Sequence, residues 1–472
     1  MSIKVKEFLS NFSYSFLSNF IVLLISTLMV IILPKILGVN EYGYWQLYML
    51  YTSYTALLHF GWNDGIYLRY GGEEYSNLDK KLFFSQFWML VMFETLIMVS
   101  FFIVSEFLHL NIDKLFVMRM MVVCSFFSIP RGMLLFILQA TNRIKEYAIV
   151  TLSEKVVYLF LIVIFLLGGI RNYKIMILAD ILAKFISLVY VSYKCKDIVF
   201  RRVNSFYFTF NETFENIKSG IKIAFAYVAS TLIVGTVRFG IEYNWNVATF
   251  GRVSLMLSIS NMMMIFINAV GLIMFPLLRR TSNEKLPQIY MVLRLILTVS
   301  LLGILISYYP LMYVLSLWLP QYIESLPFLV LLFPICLYEG KMALLLNTYF
   351  KTMRKEKRLM QVNILTFILS LLLTGIFAYT LKNLVLTVVS ILFLLMFRCI
   401  ISELYMSRIL GIKLKADIVT DTILTAIFVI SGVLFNSNIG ILVYFCSYVI
   451  YLYFNKNRLR EVLIFIKSTL SR

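Results

Sequence analysis

The sequence predicts an all-α, polytopic membrane protein with about fourteen transmembrane helices. The chain has 472 residues, of which 61% are hydrophobic and only 14% are charged, and its mean hydropathy is +0.87. Soluble globular domains carry about twice that proportion of charge. Apolar runs of about 20 residues, the length that crosses a bilayer, recur along the whole chain between polar breaks.

Each predicted span is an apolar run bounded by polar or turn-forming residues, and each intervening segment is short. The spacing predicts helices over residues 14–36, 43–63, 83–107, 115–139, 147–169, 173–193, 217–240, 249–278, 287–315, 326–350, 359–380, 384–407, 417–436 and 439–455. The longest segment outside these spans, residues 194–216, is too short for a soluble catalytic domain.

The distribution of Lys and Arg predicts the topology. Alternate connections together with both termini hold about 28 of these residues, whereas the other set of connections holds about 5. Basic residues concentrate on the cytoplasmic side, so both termini are predicted to be cytoplasmic. The formal net charge of +19 is thereby explained by topology, and no nucleic-acid partner is expected.

The five cysteines occur in no paired or ligand-like spacing, so neither a disulfide nor a metal site is expected. No cofactor is predicted either. Chemistry by this chain is therefore expected to be carried by charged side chains within the membrane.

A weak internal repeat relates the first six spans to the next six. Gly43 in "EYGYWQL" matches Gly251 in "TFGRVSL", and Gly132 in "RGMLLFIL" matches Gly340 in "EGKMALLL" at the same interval of about 208 residues. Because six is even, both halves keep the same orientation. The predicted domains are 1–195 and 196–410, each a six-helix lobe, and 411–472, two additional helices and an amphipathic cytoplasmic tail.

The segment from Asn19 to Tyr75 resembles bacterial O-antigen and capsular polysaccharide flippases, a branch of the multidrug/oligosaccharidyl-lipid/polysaccharide exporter superfamily. The resemblance is carried by "LPKILG" at the end of the first span, "YGYW" at the start of the second and "GWNDGIYLRYGG" at its end. "LQATNRIKEYA", which closes the fourth span and opens the fifth, is similar in the same way.

The resemblance implies two six-helix lobes in a V that alternate their access to the two sides of a bacterial inner membrane. It implies as substrate an undecaprenyl-diphosphate-linked oligosaccharide, an O-antigen or capsule repeat unit. The implied partners are this lipid-linked substrate, the membrane lipids and a polysaccharide polymerase complex.

Arg131 is the main candidate for a substrate-binding residue. It lies about 15 Å from the cytoplasmic end of the fourth span, near the midplane, in the apolar stretch "SFFSIPRGMLLFIL". A charge at that depth must face the protein interior or a wet cavity. Guanidinium binds phosphate in a bidentate manner, which favours a substrate role. The alternative is an ion pair with Glu94 or Glu154.

Further cations are candidates for a cavity that receives the diphosphate. Arg238 and Arg252 flank the outer connection between spans seven and eight, and Glu242 offers Arg238 a local partner at four residues. Lys341 and Arg294 are the remaining cationic candidates. Asp180 and Lys184, also four residues apart on one helix, are predicted to neutralise each other.

Three carboxylates are candidates for coupling transport to a proton or sodium gradient, or for neutralising a cation: Asp64, Glu94 and Glu339. Glu339 occupies the repeat position of Arg131 and cannot face Lys341 at two residues along a helix.

Three classes of function remain open. A flippase for a lipid-linked oligosaccharide predicts a cationic cavity, which the arginine bias favours. A cation-coupled multidrug exporter of the same superfamily predicts an acidic one. An O-antigen polymerase or ligase, the enzyme alternative, predicts a large outer loop, whereas the outer connections here have about ten residues at most.

Overall fold

The computed structural model describes residues 3–264, 283–435 and 437–470. Within these ranges the chain forms helices and no strand, which confirms the predicted all-α class. Ten described helices are long and apolar enough to cross a membrane, or twelve if two bent pairs each count as one span. The predicted count of about fourteen is consistent with this number once spans 43–63 and 249–278 are added.

The predicted span 249–278 begins as a helix, but residues 265–278 lie outside the described part of the chain, as do Arg279 and Arg280 of the basic loop that follows. Two compact units, Met1–Thr231 and Leu232–Arg472, divide the chain inside one long helix. The finer division predicted from the repeat stays a prediction.

The first unit is built from eight helices and the first part of a ninth. Their bounds are α1 Ile3–Ile36, α2 Val39–Thr52, α3 Trp62–Arg69, α4 Lys80–Ser105, α5 Ile112–Ala140, α6 Ile144–Leu167, α7 Tyr173–Lys194, α8 Lys196–Val199 and α9 Phe210–Asn244. Helix α5 packs against α2, α3, α4 and α7, and α1 packs against α6. The core of the unit therefore lies around α5.

The second unit contains the end of α9 and the remaining helices. Their bounds are α10 Val247–Met262, α11 Leu286–Leu305, α12 Tyr308–Trp318, α13 Leu326–Leu332, α14 Ile335–Gly340, α15 Asn347–Thr352, α16 Glu356–Thr374, α17 Leu384–Leu410, α18 Lys415–Leu434, α19 Ser437–Phe454 and α20 Lys456–Leu470. Two π-helical segments, Lys341–Leu346 and Gly375–Thr380, continue α14 and α16. Helix α17 packs against α13, α14 and α16.

The second predicted span is not one continuous helix, so that prediction was wrong in detail. Helix α2 ends at Thr52, a short 3-10 turn follows, and α3 begins only at Trp62. Phe60 and Gly61 both adopt the left-handed conformation, with φ of 51° and 80°. A run of apolar residues hides such a break, because hydropathy does not report backbone dihedrals.

Glycines at this break allow α3 to approach the first turns of α9 at backbone distance. A Cβ atom on Gly65 would overlap the backbone of Asn216, and a Cβ atom on Gly220 would overlap the backbone of Gly61. Small residues four apart allow this kind of close crossing between membrane helices. Gly61 and Gly65 in "GWNDG" are therefore a packing motif in this fold.

Polar side chains reinforce the same crossing. Gln86 of α4 accepts a hydrogen bond from the indole of Trp62 at 2.7 Å and donates to Thr213 of α9 at 3.0 Å. Arg69, in the last turn of α3, pairs with Glu212 of α9 at 2.6 Å. Since these residues are distant in sequence, only the tertiary structure brings the network together.

Gly65→Ala is expected to destabilise the protein by about 1–3 kcal/mol or more, because the backbone of α9 must move to admit one methyl group. The melting temperature of the purified chain in detergent is the measurement. Gly38→Ala is the matched control in the same unit, since nothing lies within 4 Å of a Cβ atom there. Equal melting temperatures for the two variants would contradict the close crossing.

Candidate functional site

The candidate site of the first unit is a cluster of charged side chains inside the predicted bilayer region. Its members come from α5, α6 and α7 and are Arg131, Glu154, Lys155, Asp180 and Lys184. Arg131, Glu154 and Asp180 are buried, whereas Lys155 and Lys184 are partly exposed. The cluster holds three cations and two anions, so one positive charge is left over.

Arg131 follows Pro130 inside α5 and is only 8% exposed. Its Nη2 lies 2.5 Å from Glu154 Oε2, and its Nε donates to Ser187 Oγ at 2.8 Å. The ion pair with Glu154, one of the two partners considered from sequence, is therefore present. Lys155 lies 3.3 Å from the other oxygen of the same carboxylate, with its side chain 32% exposed.

The predicted pair of Asp180 and Lys184 is confirmed at 2.6 Å. Asp180 also accepts a hydrogen bond from Tyr48 of α2 at 2.7 Å, and Lys184 lies 3.2 Å from the sulfur of Cys124. Lys184 interacts electrostatically with Glu154 as well. The two pairs thus form one connected charge cluster across four helices.

The two candidate carboxylates of the first unit, Glu94 and Asp64, lie on other helices and form no described contact with the cluster. Glu94, in the middle of α4, is 1% exposed, and neither of its carboxyl oxygens has a hydrogen-bond partner among the described residues. Asp64 lies half-buried on α3 and forms no ion pair with any residue that the structure describes. Glu94 is thus the more unusual group, since buried carboxylates are normally paired.

In the second unit, Arg294 and Lys341 belong to a buried cluster that is electrically balanced. Arg294 Nε lies 2.9 Å from Glu403 and its Nη2 lies 2.6 Å from Asp421. Lys341 Nζ lies 2.6 Å from the same Asp421 oxygen. The four side chains are at most 4% exposed, so both candidate cations are engaged by carboxylates.

Glu339 has a separate partner in the same unit. Its Oε1 accepts from Arg398 Nη1 at 3.1 Å, and Arg398 Nε also donates to Asn363 at 2.9 Å. The helix is π-helical from Lys341 onward, which places Lys341 in a local bulge next to Asp421. Glu339 and Lys341 therefore reach different partners, as their spacing predicts.

Arg238 and Arg252 also lie in the second unit. Arg238 donates to Ser254 Oγ at 3.1 Å and packs over the ring of Phe250. Arg252 pairs at 2.7 Å with Glu324, whose side chain is 74% exposed. A solvent-exposed ion pair of this kind contributes little to stability. Another anion can therefore replace Glu324 as the partner of Arg252.

Several members of these clusters were not singled out from the sequence. They are Lys155, Arg398, Glu403 and Asp421. A census of every charged residue inside a predicted span would have found all four, since each lies within the bounds of such a span. The pairing of Arg398, Glu403 and Asp421 is not readable from spacing, because each of their partners lies on another helix.

Comparisons with known proteins identify the fold. The chain is similar to an inward-facing multidrug resistance MATE family transporter of the MOP superfamily, with a TM-score of 0.61 and 12% identity over 83% of this chain and 98% of the other. It is also similar to a MATE transporter in the straight conformation, with a TM-score of 0.56 and 13% identity over 85% and 96%.

A third similar structure is a MOP superfamily transporter from Pyrococcus furiosus, for which a binding pocket of reverse polarity suggests a different function. Its TM-score is 0.53 at 12% identity, over 85% of this chain and 95% of the other. No family model and no curated protein matches the sequence. The chain thus has the fold of MATE transporters of the MOP superfamily.

Removing Glu154 from the Arg131–Glu154 pair is expected to cost about 3–5 kcal/mol of stability, because Arg131 is left buried without its carboxylate. Glu154→Gln should therefore lower the melting temperature more than Arg131→Met, which leaves Glu154 beside Lys155, and the double variant should recover much of the loss caused by Glu154→Gln.

The exposed pair of Arg252 and Glu324 provides the control. Arg252→Met and Glu324→Gln are expected to cost about 0–1 kcal/mol each. If the losses of the two buried single variants simply add in the double variant, the ion pair does not hold α5 to α6.

Proposed function

We propose that this protein is a membrane flippase that carries a polyprenyl-diphosphate-linked oligosaccharide from the cytoplasmic to the outer leaflet of a bacterial inner membrane. Undecaprenyl diphosphate is the proposed carrier lipid, and the oligosaccharide is an O-antigen or capsule repeat unit. The proposed topology has both termini in the cytoplasm, as the basic connections predict. The MOP transporter fold supports transport as the general activity.

The observation that carries the substrate class is the surplus cation in the first unit. Arg131 and Lys184 are each matched by a carboxylate, whereas Lys155 shares Glu154 with Arg131. A positive charge left over inside the membrane attracts an anion strongly, because little water screens it. A lipid diphosphate supplies such an anion and arrives by way of the bilayer.

Alternating access gives this charge a role in the transport cycle. Diphosphate oxygens that approach Lys155 compete with Glu154 for its ammonium group. Arg131 pairs with the same Glu154 carboxylate and can bind diphosphate oxygens in a bidentate manner in its place. We propose that Arg252, through its exposed pair with Glu324, performs a similar exchange in the second unit. We propose that the balanced Arg294–Lys341 cluster stabilises the packing of the surrounding helices.

Polarity separates this proposal from the multidrug-exporter alternative. The similar MATE structures include multidrug resistance transporters, and Glu94 is a buried acid that an organic cation would favour. In the first-unit cluster, however, cations outnumber anions. Pocket polarity is the feature that suggests a different function for the Pyrococcus furiosus transporter, which supports its use here.

Lys155→Gln is expected to reduce surface glycan at least about tenfold in cells that depend on this protein, a barrier change of about 1.4 kcal/mol. Undecaprenyl-linked single repeat units should accumulate on the cytoplasmic face, and extraction of lipid-linked intermediates measures them. Lys155→Arg should keep most of the activity, because the charge remains. Arg131→Ala and Arg252→Ala are also expected to abolish display.

Lys174→Gln is the matched control, since Lys174 pairs with Asp113 at 3.2 Å at the exposed start of α7. Protein levels in the membrane are measured for every variant. Normal glycan display by Lys155→Gln at normal protein levels would overturn the diphosphate assignment. Export of organic cations by the purified protein, with no effect on lipid-linked intermediates, would instead favour the multidrug alternative.

Glu94 is proposed to couple this transport to a proton gradient. An ionised carboxylate without any partner at 1% exposure costs several kcal/mol, so the site favours a bound proton until its surroundings change. In reconstituted vesicles, the Glu94→Gln variant should therefore translocate the lipid-linked substrate at a rate that does not depend on the proton gradient.

Glu106→Gln, at the exposed end of the same helix, is the control for the gradient measurement. If the wild-type translocation rate stays the same when both the proton and the sodium gradients are collapsed, Glu94 has no coupling role. The same result would exclude Asp64 and Glu339, which are the alternative coupling residues. The flippase proposal itself would survive that result.

A further inference from the structure

A cavity of about 750 Å³ is lined only by residues of the second unit, and Arg294 and Asp421 of the balanced cluster form part of one wall. Helices α11, α18 and α19 form its sides. Helix α20 bends by 64° from α19 and closes one end with its first turns. The size fits a lipid-sized ligand, since ligand sites commonly enclose about 300–1,000 Å³.

The cavity changes from polar to apolar along its length. Gln288, Asp417 and Arg458 line the end where α11 and α18 begin and α19 ends. Leu295 and Ile427 line the opposite end, about 10–15 Å deeper at 1.5 Å per residue. The polar end lies on the predicted cytoplasmic side, which is the orientation of a lipid in the inner leaflet.

The polar end presents both signs of charge. Arg458 Nη1 lies 2.7 Å from Asp417 Oδ1, and the Arg458 side chain is 55% exposed. Glu461, one turn further along α20, lines the same cavity. An ion pair this exposed contributes little by itself. A ligand with one phosphate and one ammonium group could replace it and satisfy all three side chains.

One side of the cavity opens towards the bilayer. Ile423, Ile450 and Phe454 line this side and are 53%, 56% and 80% exposed. On a membrane-spanning surface, such residues face lipid chains. An acyl chain can therefore enter the cavity from the bilayer past these apolar side chains.

We propose that this cavity binds a zwitterionic aminophospholipid, with a headgroup of the phosphatidylethanolamine class. The phosphate binds Arg458, the ammonium group binds Asp417 and Glu461, and an acyl chain fills the apolar end between α11, α18 and α19. The bound lipid holds α20 against α18. This site is independent of the substrate proposed for transport, because it uses none of the residues of the first unit.

The test uses the full chain in nanodiscs of phosphatidylcholine with equal small amounts of phosphatidylethanolamine and phosphatidylglycerol. The protein is then transferred to detergent, and the retained lipids are identified by native mass spectrometry. Wild type is expected to retain phosphatidylethanolamine at least about tenfold more often than phosphatidylglycerol. Arg458→Gln should lose this retention.

Three further variants make the outcome decisive. Arg460→Gln, which removes the same charge from α20 at a position that does not line the cavity, should retain the lipid as wild type does. Asp417→Asn should lose the preference for phosphatidylethanolamine over phosphatidylglycerol. Ile427→Trp keeps every charge but fills the apolar end, so it should retain no lipid even if Arg458→Gln fails to fold.

Retention of phosphatidylglycerol above phosphatidylethanolamine would overturn the proposal, since general attraction of anionic lipids to basic residues would explain it. Equal retention by Arg458→Gln and Arg460→Gln would overturn it as well. Neither result would bear on glycan translocation, which is measured separately.

Discussion

The cost of an unpaired charge in an apolar medium is the constraint on which this structure depends. Each buried cation described above faces a carboxylate of its own unit: Arg131 faces Glu154, Arg398 faces Glu339, and Arg294 and Lys341 share Glu403 and Asp421. The partly exposed Lys184 faces Asp180. Breaking one such pair costs several kcal/mol. The pairs between helices, Arg131 with Glu154 and the Arg294–Lys341 cluster, therefore favour particular helix neighbours, since apolar side chains pack against lipid as readily as against each other.

Backbone irregularities occur where these polar groups need them. The break between α2 and α3 lets Trp62 reach Gln86, and it allows Gly61 and Gly65 to meet α9 at backbone distance. The π-helical segment at Lys341 places that side chain on Asp421. In both places a regular helix would direct the side chains elsewhere, because the 3.6-residue period fixes which positions share a face.

Hydropathy predicted the all-α class and most span positions, since a bilayer imposes one length on every crossing helix. The Asp180–Lys184 pair was also predictable, because both residues lie on one helix at four-residue spacing. The partner of Arg131 was not, since Glu94 and Glu154 lie on different helices and only packing selects between them. The α2–α3 break was missed because left-handed residues at Phe60 and Gly61 leave hydropathy unchanged.

The two units distribute charge differently, and this difference bears on function more than the fold does. The second-unit cluster is balanced and at most 4% exposed, which suits a structural role. The first-unit cluster has a surplus cation and one partly exposed member, Lys155. The Pyrococcus furiosus transporter has a similar fold, and the reversed polarity of its binding pocket suggests a different function for it. The proposal of an anionic substrate therefore rests on the sign of the unmatched charge rather than on the helix arrangement.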